Sequence, residues 1–528
     1  MKLHHAVSLL LLLHLWQNTT LSISSTFCPS QCQCFSTTTI ICSDKSMKAL
    51  PVNIPTHATA LIVLASGLRK ITAVENMKNL TKLIFLGNPV QNVSHNAFEG
   101  LTSLQELEIS GSPFLALEAG TFNKLDKLSK LLLNNNKIML LAPNLFDSLE
   151  KLEMLQLHGN MLQCLHKDQF RKLTNLQELN LSSNKLSTVP ISELSKLKTL
   201  DLGSNQITSL SLDTFDGHPE LQIISLQGNQ INQIEPGTFT HLDNLEELNL
   251  RDNNIMVLSS GLFPSYLKKL TLKGNSLLQL SSCAFTGLHN LTYLDLSQNR
   301  LHFLPAELFQ NLSSLEHLDL SENSLQELAS TIFRGLLQIN VINLQKNNLT
   351  FLEADLFIDQ GKMSRLSLAG NRLENLVYGL FEPLDFECLF QLSGNPWRCD
   401  CNLIYFHKWL NYTSNTVTDL SQVYCTEPRS LRGMSLTTVN KEQLVCFEGA
   451  ITETQRAINQ ATSSVLDRQC SLQEANGNIV VQCKFMKCSE LKLDVSFHLE
   501  DGSLLNYTVT DPWPRSSQCS NGTIILTV

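Results

Sequence analysis

Aliphatic and polar positions recur along most of the chain with a period close to 24 residues. Each period carries the pattern L-x-x-L-x-L-x-x-N, and steps of 21 and 22 residues interrupt the spacing before Asn205 and Asn275. The last position of the pattern, which we call the asparagine column, contains Asn88, Asn136, Asn160, Asn184, Asn205, Asn229, Asn253, Asn275, Asn299, Asn323, Asn347, Asn371 and Asn395, with Ser112 in one repeat and Ser66 in a weaker first repeat. This period and pattern are typical of leucine-rich repeats.

A second column runs in register with the first, ten residues further on. It contains Phe98, Phe122, Phe146, Phe170, Phe215, Phe239, Phe263, Phe285, Phe309, Phe333, Phe357 and Phe381, with Leu194 in the short repeat. The leucines of one repeat have no second apolar layer to pack against, so the repeats must stack. We therefore expect an α/β repeat solenoid, a leucine-rich-repeat horseshoe of about 15 repeats over residues 59–394.

The two columns predict different roles inside such a solenoid. An asparagine amide can satisfy backbone groups of neighbouring turns that would otherwise be buried without a partner. The phenylalanines are expected to fill the wider convex side. The leucines of each strand point inward, and the x positions point outward from a parallel sheet on the inside of the arc.

Composition agrees with a folded, non-basic chain. Leucine supplies 100 of the 528 residues, and 43% of all residues are hydrophobic against 16% that are charged. Such a chain can bury apolar surface throughout, which excludes a disordered tail. The formal net charge of −9 provides no basic excess to neutralise phosphates, so nucleic acid is not expected as a partner.

Two cysteine clusters flank the repeats. The first has the spacing C-x3-C-x-C-x7-C and the second follows GNPWRCDCNL, and together they contain Cys28, Cys32, Cys34, Cys42, Cys399, Cys401, Cys425 and Cys446. Zinc binding is the alternative to disulfides. Disulfides are favoured because the N-terminal residues, described next, indicate that the chain is exported. We predict disulfide caps over residues 25–58 and 395–448, and the spacing leaves three pairings open for each cluster. Cys164, Cys283 and Cys388 remain and are expected to be buried thiols.

The first 24 residues indicate a secretory signal peptide. Lys2 precedes an apolar run from Ala6 to Trp16, and small residues follow before the first cysteine. Since no later apolar run has membrane-spanning length, we predict a secreted chain without a membrane anchor, located in the extracellular fluid. N-glycosylation sequons then occur at Asn79, Asn92, Asn180, Asn290, Asn311, Asn348, Asn411, Asn506 and Asn521. Asn180 is on a strand's inner face, where a glycan is unexpected.

After the second cap the composition changes. Residues 449–469 are polar and indicate a linker, and residues 470–528 indicate a small disulfide-tied β module with hairpin signals at Asn476-Gly477 and Asp501-Gly502. A two-residue turn at Asn476-Gly477 places Cys470 opposite Cys483, within the distance that a disulfide spans. Cys488 then remains for Cys519.

Enzyme signatures are absent from the sequence. It contains no H-x-x-E or H-E-x-x-H pair, no G-x-S-x-G, no G-x-x-x-x-G-K-[ST] and no G-x-G-x-x-G. We therefore predict no catalytic, metal-binding or cofactor-binding residues. We predict a partner-binding surface on the inner face of the arc, where acidic residues occupy outward positions and Lys268, Lys269 and Lys273 form one basic step. The candidate partner-binding residues are Glu106, Glu108, Glu178, Asp201, Glu246, Glu247, Asp295, Glu316 and Asp319.

The caps and the tail resemble a known family. CPSQCQCF, GNPWRCDCNLIYFHKWL, CTEPRSLRGMSL, NKEQLVC and the terminal RSSQCSNGTIILTV are similar to the non-catalytic regulatory subunits of plasma carboxypeptidase N. The resemblance implies a glycosylated plasma subunit that binds and stabilises a catalytic carboxypeptidase chain, a zinc enzyme that removes C-terminal Lys or Arg, in a hetero-oligomer. It also implies the pairs Cys28–Cys34, Cys32–Cys42, Cys399–Cys425 and Cys401–Cys446.

Two alternatives stay open at this point. One is a free-standing extracellular recognition or sequestering protein, such as a soluble pattern receptor or a toxin inhibitor. The other is a component of the extracellular matrix, although no Ser-Gly run suggests glycosaminoglycan attachment.

Overall fold

The computed structural model describes residues 28–74, 77–191 and 193–446, together with the backbone of five strands between 470 and 527. The predicted signal peptide (1–24) and linker (449–469) lie outside the described residues. The chain forms two compact units, which meet in sequence between Leu444 and Val445.

The first unit is a solenoid built around one 17-stranded sheet. Two strands come from the N-terminal cap and pair antiparallel with each other, and every repeat then adds one parallel strand. The strands are Cys32–Cys34, Thr39–Cys42, Ala60–Leu64, Lys82–Leu86, Glu106–Ser110, Lys130–Leu132, Met154–Gln156, Glu178–Asn180, Thr199–Asp201, Ile223–Ser225, Glu247–Asn249, Lys269–Thr271, Tyr293–Asp295, His317–Asp319, Val341–Asn343, Arg365–Ser367 and Leu389–Gln391. The predicted leucine-rich-repeat solenoid of about 15 repeats is confirmed.

Leucines of the repeat pattern form the core, and their register follows the sequence columns. Leu248 pairs with Leu270, which is the same position of the next repeat, and both side chains are fully buried. After leaving the sheet some repeats pair again through two-residue parallel strands. These strands are Lys70–Ile71 with Asn92–Val93, Ala116–Leu117 with Leu140–Leu141, and Ser209–Leu210 with Gln233–Ile234.

The described repeats return through turns on the side away from the sheet. The one α-helix of the described residues, Ile404–Thr413, belongs to the C-terminal cap. Short 3₁₀ helices in the same cap cover Cys401–Leu403, Ser414–Thr416, Leu420–Gln422, Leu436–Thr438 and Lys441–Gln443. In the described repeats, the segment that returns to the sheet is therefore built from turns in place of the helix of an α/β repeat.

Each column asparagine bridges neighbouring turns, as predicted. The Asn299 side chain accepts a hydrogen bond from the Leu277 amide (3.1 Å) and donates to the carbonyls of Leu272 and Leu296 (both 3.0 Å). A buried backbone group without a hydrogen-bond partner destabilises the fold. The asparagine side chain supplies these partners and so stabilises the buried turn after each strand. Ser112 keeps part of this role, since its hydroxyl donates to the Asn88 carbonyl at 2.9 Å.

Phenylalanines of the second column are buried and stack in rows from repeat to repeat. The rings of Phe122 and Phe146, for example, lie 6.2 Å apart with an angle of 6° between their planes. Three residues after this column a leucine packs inward in most repeats, but two repeats have His218 or Gln360 instead. Both are about 1% exposed, and each has a buried atom without a hydrogen-bond partner, His218 Nε2 and Gln360 Oε1.

Disulfides tie both caps. The bonds Cys28–Cys34, Cys32–Cys42 and Cys399–Cys425 are the pairs that the resemblance implies, and Cys401 and Cys446 are disulfide-bonded as well. The C-terminal cap also replaces the missing next strand. The Asp419 carboxylate accepts hydrogen bonds from the amides of Leu392 (3.0 Å) and Ser393 (2.8 Å), which follow the last strand.

The described backbone of the second unit forms five antiparallel strands. They are Cys470–Ala475, Asn478–Lys487, Lys492–His498, Leu504–Thr510 and Ser520–Thr527. The first hairpin has the predicted register, with Ala475 facing Asn478 and Cys470 facing Cys483. The turn residues, Cys488 and Cys519 lie outside the described residues, so the Cys470–Cys483 and Cys488–Cys519 disulfides stay predictions.

Candidate partner-binding surface

The parallel strands of the sheet are in register, so each outward strand position forms a row of side chains along the sheet. In the strand Glu247–Asn249, the inward Leu248 is buried, and the residues on either side are half-buried on the open face. All nine acidic candidates belong to this face or its edge. Glu106, Glu108, Glu178, Asp201, Glu247, Asp295 and Asp319 lie within strands, and Glu246 and Glu316 directly precede strands.

Lysines on adjacent strands neutralise three of these carboxylates. Nζ–Oε1 distances are 2.8 Å for Lys82–Glu106, 2.8 Å for Lys268–Glu246 and 2.8 Å for Lys269–Glu247. Such partly exposed pairs contribute about 0–1 kcal/mol each to stability, so they matter more for the local charge than for the fold. The inner face around these strands therefore carries both positive and negative side chains, although all nine candidate residues are acidic.

Several other candidate carboxylates are held by hydrogen bonds. Glu178 accepts from the Gln156 amide at 2.6 Å, and Asp201 accepts from the backbone of Gly203 at 2.9 Å. Glu108 accepts a hydrogen bond from the Ser110 hydroxyl. These contacts fix the side chains on the face and leave fewer carboxylate oxygens for a partner.

An aromatic pair stands beside two carboxylates in the C-terminal half of the face. The rings of Tyr293 and His317 lie 4.6 Å apart and nearly parallel, and Lys269 Nζ is 5.7 Å from the Tyr293 ring centre. Asp295 pairs in register with Asp319 on the next strand. This cluster was not predicted, although the 24-residue spacing of Tyr293 and His317 puts both in one column of the repeat.

Burial dominates the electrostatics of this cluster. It raises the pKa of Tyr293, and the neighbouring Asp295 and Asp319 raise it further. Burial also lowers the pKa of His317, against the opposing effect of the two carboxylates. Both rings therefore favour their neutral forms, and the cluster offers an aromatic surface beside negative charge.

The three remaining cysteines differ in burial. Cys388 is buried, and its burial raises the pKa of the thiol to about 12. Cys164 and Cys283 are exposed, so the expectation of buried thiols is wrong for these two residues. Cys164 stands four residues after the asparagine column, a position where Leu140 and Val257 are exposed as well.

Sequons differ in accessibility. Asn79, Asn92, Asn290, Asn311 and Asn411 have exposed side chains, and Asn348 is partly exposed. Asn180 is only 9% exposed, and its Oδ1 accepts hydrogen bonds from the Ser182 amide and hydroxyl. Asn506 and Asn521 lie on strands of the second unit.

The described part of the chain contains no group of three or more His, Cys, Asp or Glu side chains able to hold a metal ion. Within the same residues, no helix has the length and apolar character needed to cross a membrane.

Comparison with known proteins agrees with the geometry of the sheet. The family model described as "Leucine rich repeat" matches residues 102–162, 190–231, 219–263, 265–325 and 315–373, and a second model of the same description matches 175–197. The chain is a leucine-rich-repeat protein. A leucine-rich-repeat protein of Leptospira interrogans has a similar solved structure, with a TM-score of 0.61 and 25% identity over 71% of this chain and 93% of that one.

Among curated proteins, this leucine-rich-repeat protein is similar to carboxypeptidase N subunit 2. The human protein is 34% identical over 150 residues, and the mouse protein is 33% identical over 141 residues. The human alignment covers 26% of this chain and 27% of the relative, so the likeness spans about a quarter of either protein.

Proposed function

We propose that the chain is a secreted, glycosylated, non-catalytic subunit that binds and stabilises a zinc carboxypeptidase of plasma, an enzyme that removes C-terminal Lys or Arg from peptides. The similarity to carboxypeptidase N subunit 2 carries this proposal. The long open sheet supports it, because stacked repeats offer an extended surface suited to a macromolecular partner. The chain's contribution is protection and retention of an enzyme carried on another chain.

The first prediction concerns activity and lifetime. We expect the purified chain alone to release no C-terminal Lys or Arg from a model peptide. The reason is that its sequence has none of the metal-ligand or nucleophile motifs that such a reaction needs. Mixed with a purified plasma carboxypeptidase catalytic chain, it should lengthen the half-life of that enzyme at body temperature, since binding the native state alone stabilises it.

The measurement is residual activity against time, with the catalytic chain alone and with an unrelated leucine-rich-repeat ectodomain as controls. Chelator-sensitive turnover by the chain on its own would contradict the non-catalytic role. An unchanged half-life together with separate elution of the two chains would contradict the subunit role.

The second prediction concerns the acidic residues of the inner face. Reversing Glu246, Glu247 and Glu316 to lysine should slow association several-fold at low salt if the partner presents a basic patch, and the difference should shrink as salt rises. Asp319 is left unchanged in this variant because it accepts hydrogen bonds from Ser321 and Asn343, which hold it in place on the sheet. Stopped-flow or surface-based kinetics at two salt concentrations measure the rates.

A matched control reverses three exposed acidic residues in the outer turns, Glu99, Asp243 and Glu307. This variant has the same net charge as the inner-face variant but carries the change elsewhere. Equal slowing by both variants would assign the effect to net charge and would contradict steering by the inner face.

A further inference from the structure

Large hydrophobic side chains are exposed at two positions of the repeat, three and four residues after the asparagine column. These positions form one flank of the solenoid, where the chain leaves the sheet. Eight such side chains are between 40% and 72% exposed. They are Leu115, Met139, Leu140, Met256, Val257, Leu278, Phe303 and Phe351.

Seven of these residues form two clusters on consecutive repeats. The first contains Leu115, Met139 and Leu140, and its turns are joined because the Met139 amide donates to the Leu115 carbonyl at 2.8 Å. The second contains Met256, Val257, Leu278 and Phe303.

The turns of the second cluster are joined as well, since Ser276 donates to Ile255 (3.0 Å) and Arg300 to Leu277 (2.9 Å). Between the clusters the same positions are polar. They are Gln163, Ser187, Thr188, Thr208, Ser209, Asn232 and Gln233, and the remaining one is the exposed thiol Cys164. Exposure of apolar side chains is therefore a property of the two clusters and not of the repeat.

We call the stretch of this flank from Ser112 to Phe303, at positions one to four after the column, the apolar flank. Its charged residues are Lys137, Lys185 and Arg300, and it contains no Asp or Glu although the chain has a net charge of −9. None of the three makes an ion pair with another residue that the structure describes.

Sequons bracket the apolar flank without entering it. Asn92 stands four residues after Asn88, and Asn348 stands one residue after Asn347, in the same part of the repeat as the flank positions. Since an N-glycan is bulky and covers surface, glycosylation would leave the stretch between these two sites open to another protein.

The area suits one folded partner. Fully burying a Leu, Met, Val or Phe side chain removes roughly 60–120 Å² of apolar surface from water. The seven half-exposed side chains therefore present on the order of 200–400 Å² together. A standard interface buries about 800 Å² per partner, so the two clusters and the polar strip between them match one such interface, and a single cluster does not. A second copy of the chain would bring its own Lys137, Lys185 and Arg300 against these cations, which is unfavourable.

We propose that the apolar flank is the docking surface for a different folded protein, whose contact surface is apolar and rimmed by carboxylates. This inference rests on the proposed function, because the partner is the enzyme chain that the subunit binds. Exposed apolar side chains that cluster on consecutive repeats of one flank, beside a polar strip, mark a protein contact. The flank and the acidic inner face require opposite charges on the partner, so variants of the two surfaces can be distinguished.

The test uses the full-length chain and a purified plasma carboxypeptidase catalytic chain as probe. One variant carries Met139→Gln and Leu140→Gln, and a second carries Met256→Gln and Val257→Gln. We expect each to raise the Kd at least tenfold with an unchanged midpoint of thermal unfolding, because exposed side chains contribute little to the fold. A third variant, Lys137→Glu with Arg300→Glu, should slow association most at low salt.

The matched control is Glu374→Gln with Asn375→Gln, at the same two repeat positions beyond the proposed surface, and it should leave the Kd within twofold. Tight binding by wild type with an unchanged Kd in both apolar variants would overturn the flank and leave the proposed function standing. No binding by wild type would overturn both. Loss of self-association in sedimentation, with partner binding intact, would show that a second copy covers the flank.

Discussion

Replacing Asn299 with alanine is expected to lower the free energy of unfolding by on the order of 3–5 kcal/mol. The substitution removes the acceptor of the Leu277 amide and the donor to the Leu272 carbonyl, and both groups lie in the interior between consecutive turns. Each buried group without a partner costs about 1–3 kcal/mol, and the alanine methyl cannot replace either bond.

The shift in the urea midpoint measures this loss, and hydrogen exchange locates it. Because each repeat contacts only its neighbours, the increase in exchange should be concentrated in the turns after Asn275, Asn299 and Asn323. Ser112→Ala is the comparison, since the Ser112 hydroxyl makes one such bond, to the Asn88 carbonyl, and its loss should cost only about 1 kcal/mol. Similar midpoints for the two variants would contradict the bridging role of the column.

The roles of the columns could be predicted because stacking places equivalent residues in equivalent surroundings. Asn275, Asn299 and Asn323 each contact residues at equivalent positions of the preceding and following repeats. A single physical argument therefore predicts the role of all three. The tail register was predictable for a related reason. The two-residue turn fixes which residues face each other, and Cys470 does face Cys483.

Charge compensation on the inner face was not predicted from residue counts. Lys268 and Glu246 are 22 residues apart, while Lys82 and Glu106 are 24 apart, so each pair joins the same position of adjacent repeats of unequal length. The pairing therefore depends on the strand register, which a list of acidic residues does not contain. The sequence does contain a signal for these ion pairs, because a lysine and a glutamate occupy the same position of adjacent repeats.

The thiols show the limit of an argument from residue type. Free cysteine is usually buried, and this general tendency predicted burial for Cys164 and Cys283. The position of the cysteine in the repeat determines whether its thiol is buried. Cys164 stands four residues after the column, between the inward Leu162 and the partly buried Leu165, and its side chain faces outward.

Replacing His218 with leucine is expected to stabilise the solenoid by about 1–3 kcal/mol at neutral pH, and by more as the pH falls. Since a carbonyl can only accept, His218 Nδ1 donates to the Phe215 carbonyl (3.1 Å) and buried Nε2 is left as an acceptor without a partner. Leucine occupies the equivalent position in most repeats, where its backbone amide donates to the phenylalanine carbonyl, as Leu242 does to Phe239 at 3.1 Å.

The pH dependence follows from the direction of the shift. Burial lowers the pKa of His218 from its ordinary value of 6.5, against hydrogen bonds to Phe215 and Asp216 and the Asp216 charge, while nearby His241 lowers it further. Below pH 6.5 the unfolded chain therefore binds a proton that the folded chain does not, so stability decreases with falling pH until the folded-state pKa is reached. The neutral imidazole contributes its full share of stability only above pH 6.5.

Gln360→Leu supplies the matched control, because Gln360 occupies the same position of another repeat and also has a buried atom without a partner, but does not ionise. Urea midpoints at pH 7.5 and pH 5.5 should rise in both variants, and the acid-dependent part of the change should decrease only in His218→Leu. His241 and its contact with Asp216 are present in both variants, so they are common to the two sides of the comparison. If acid changed the urea midpoint equally in the two variants, His218 would not be the group whose protonation lowers the stability.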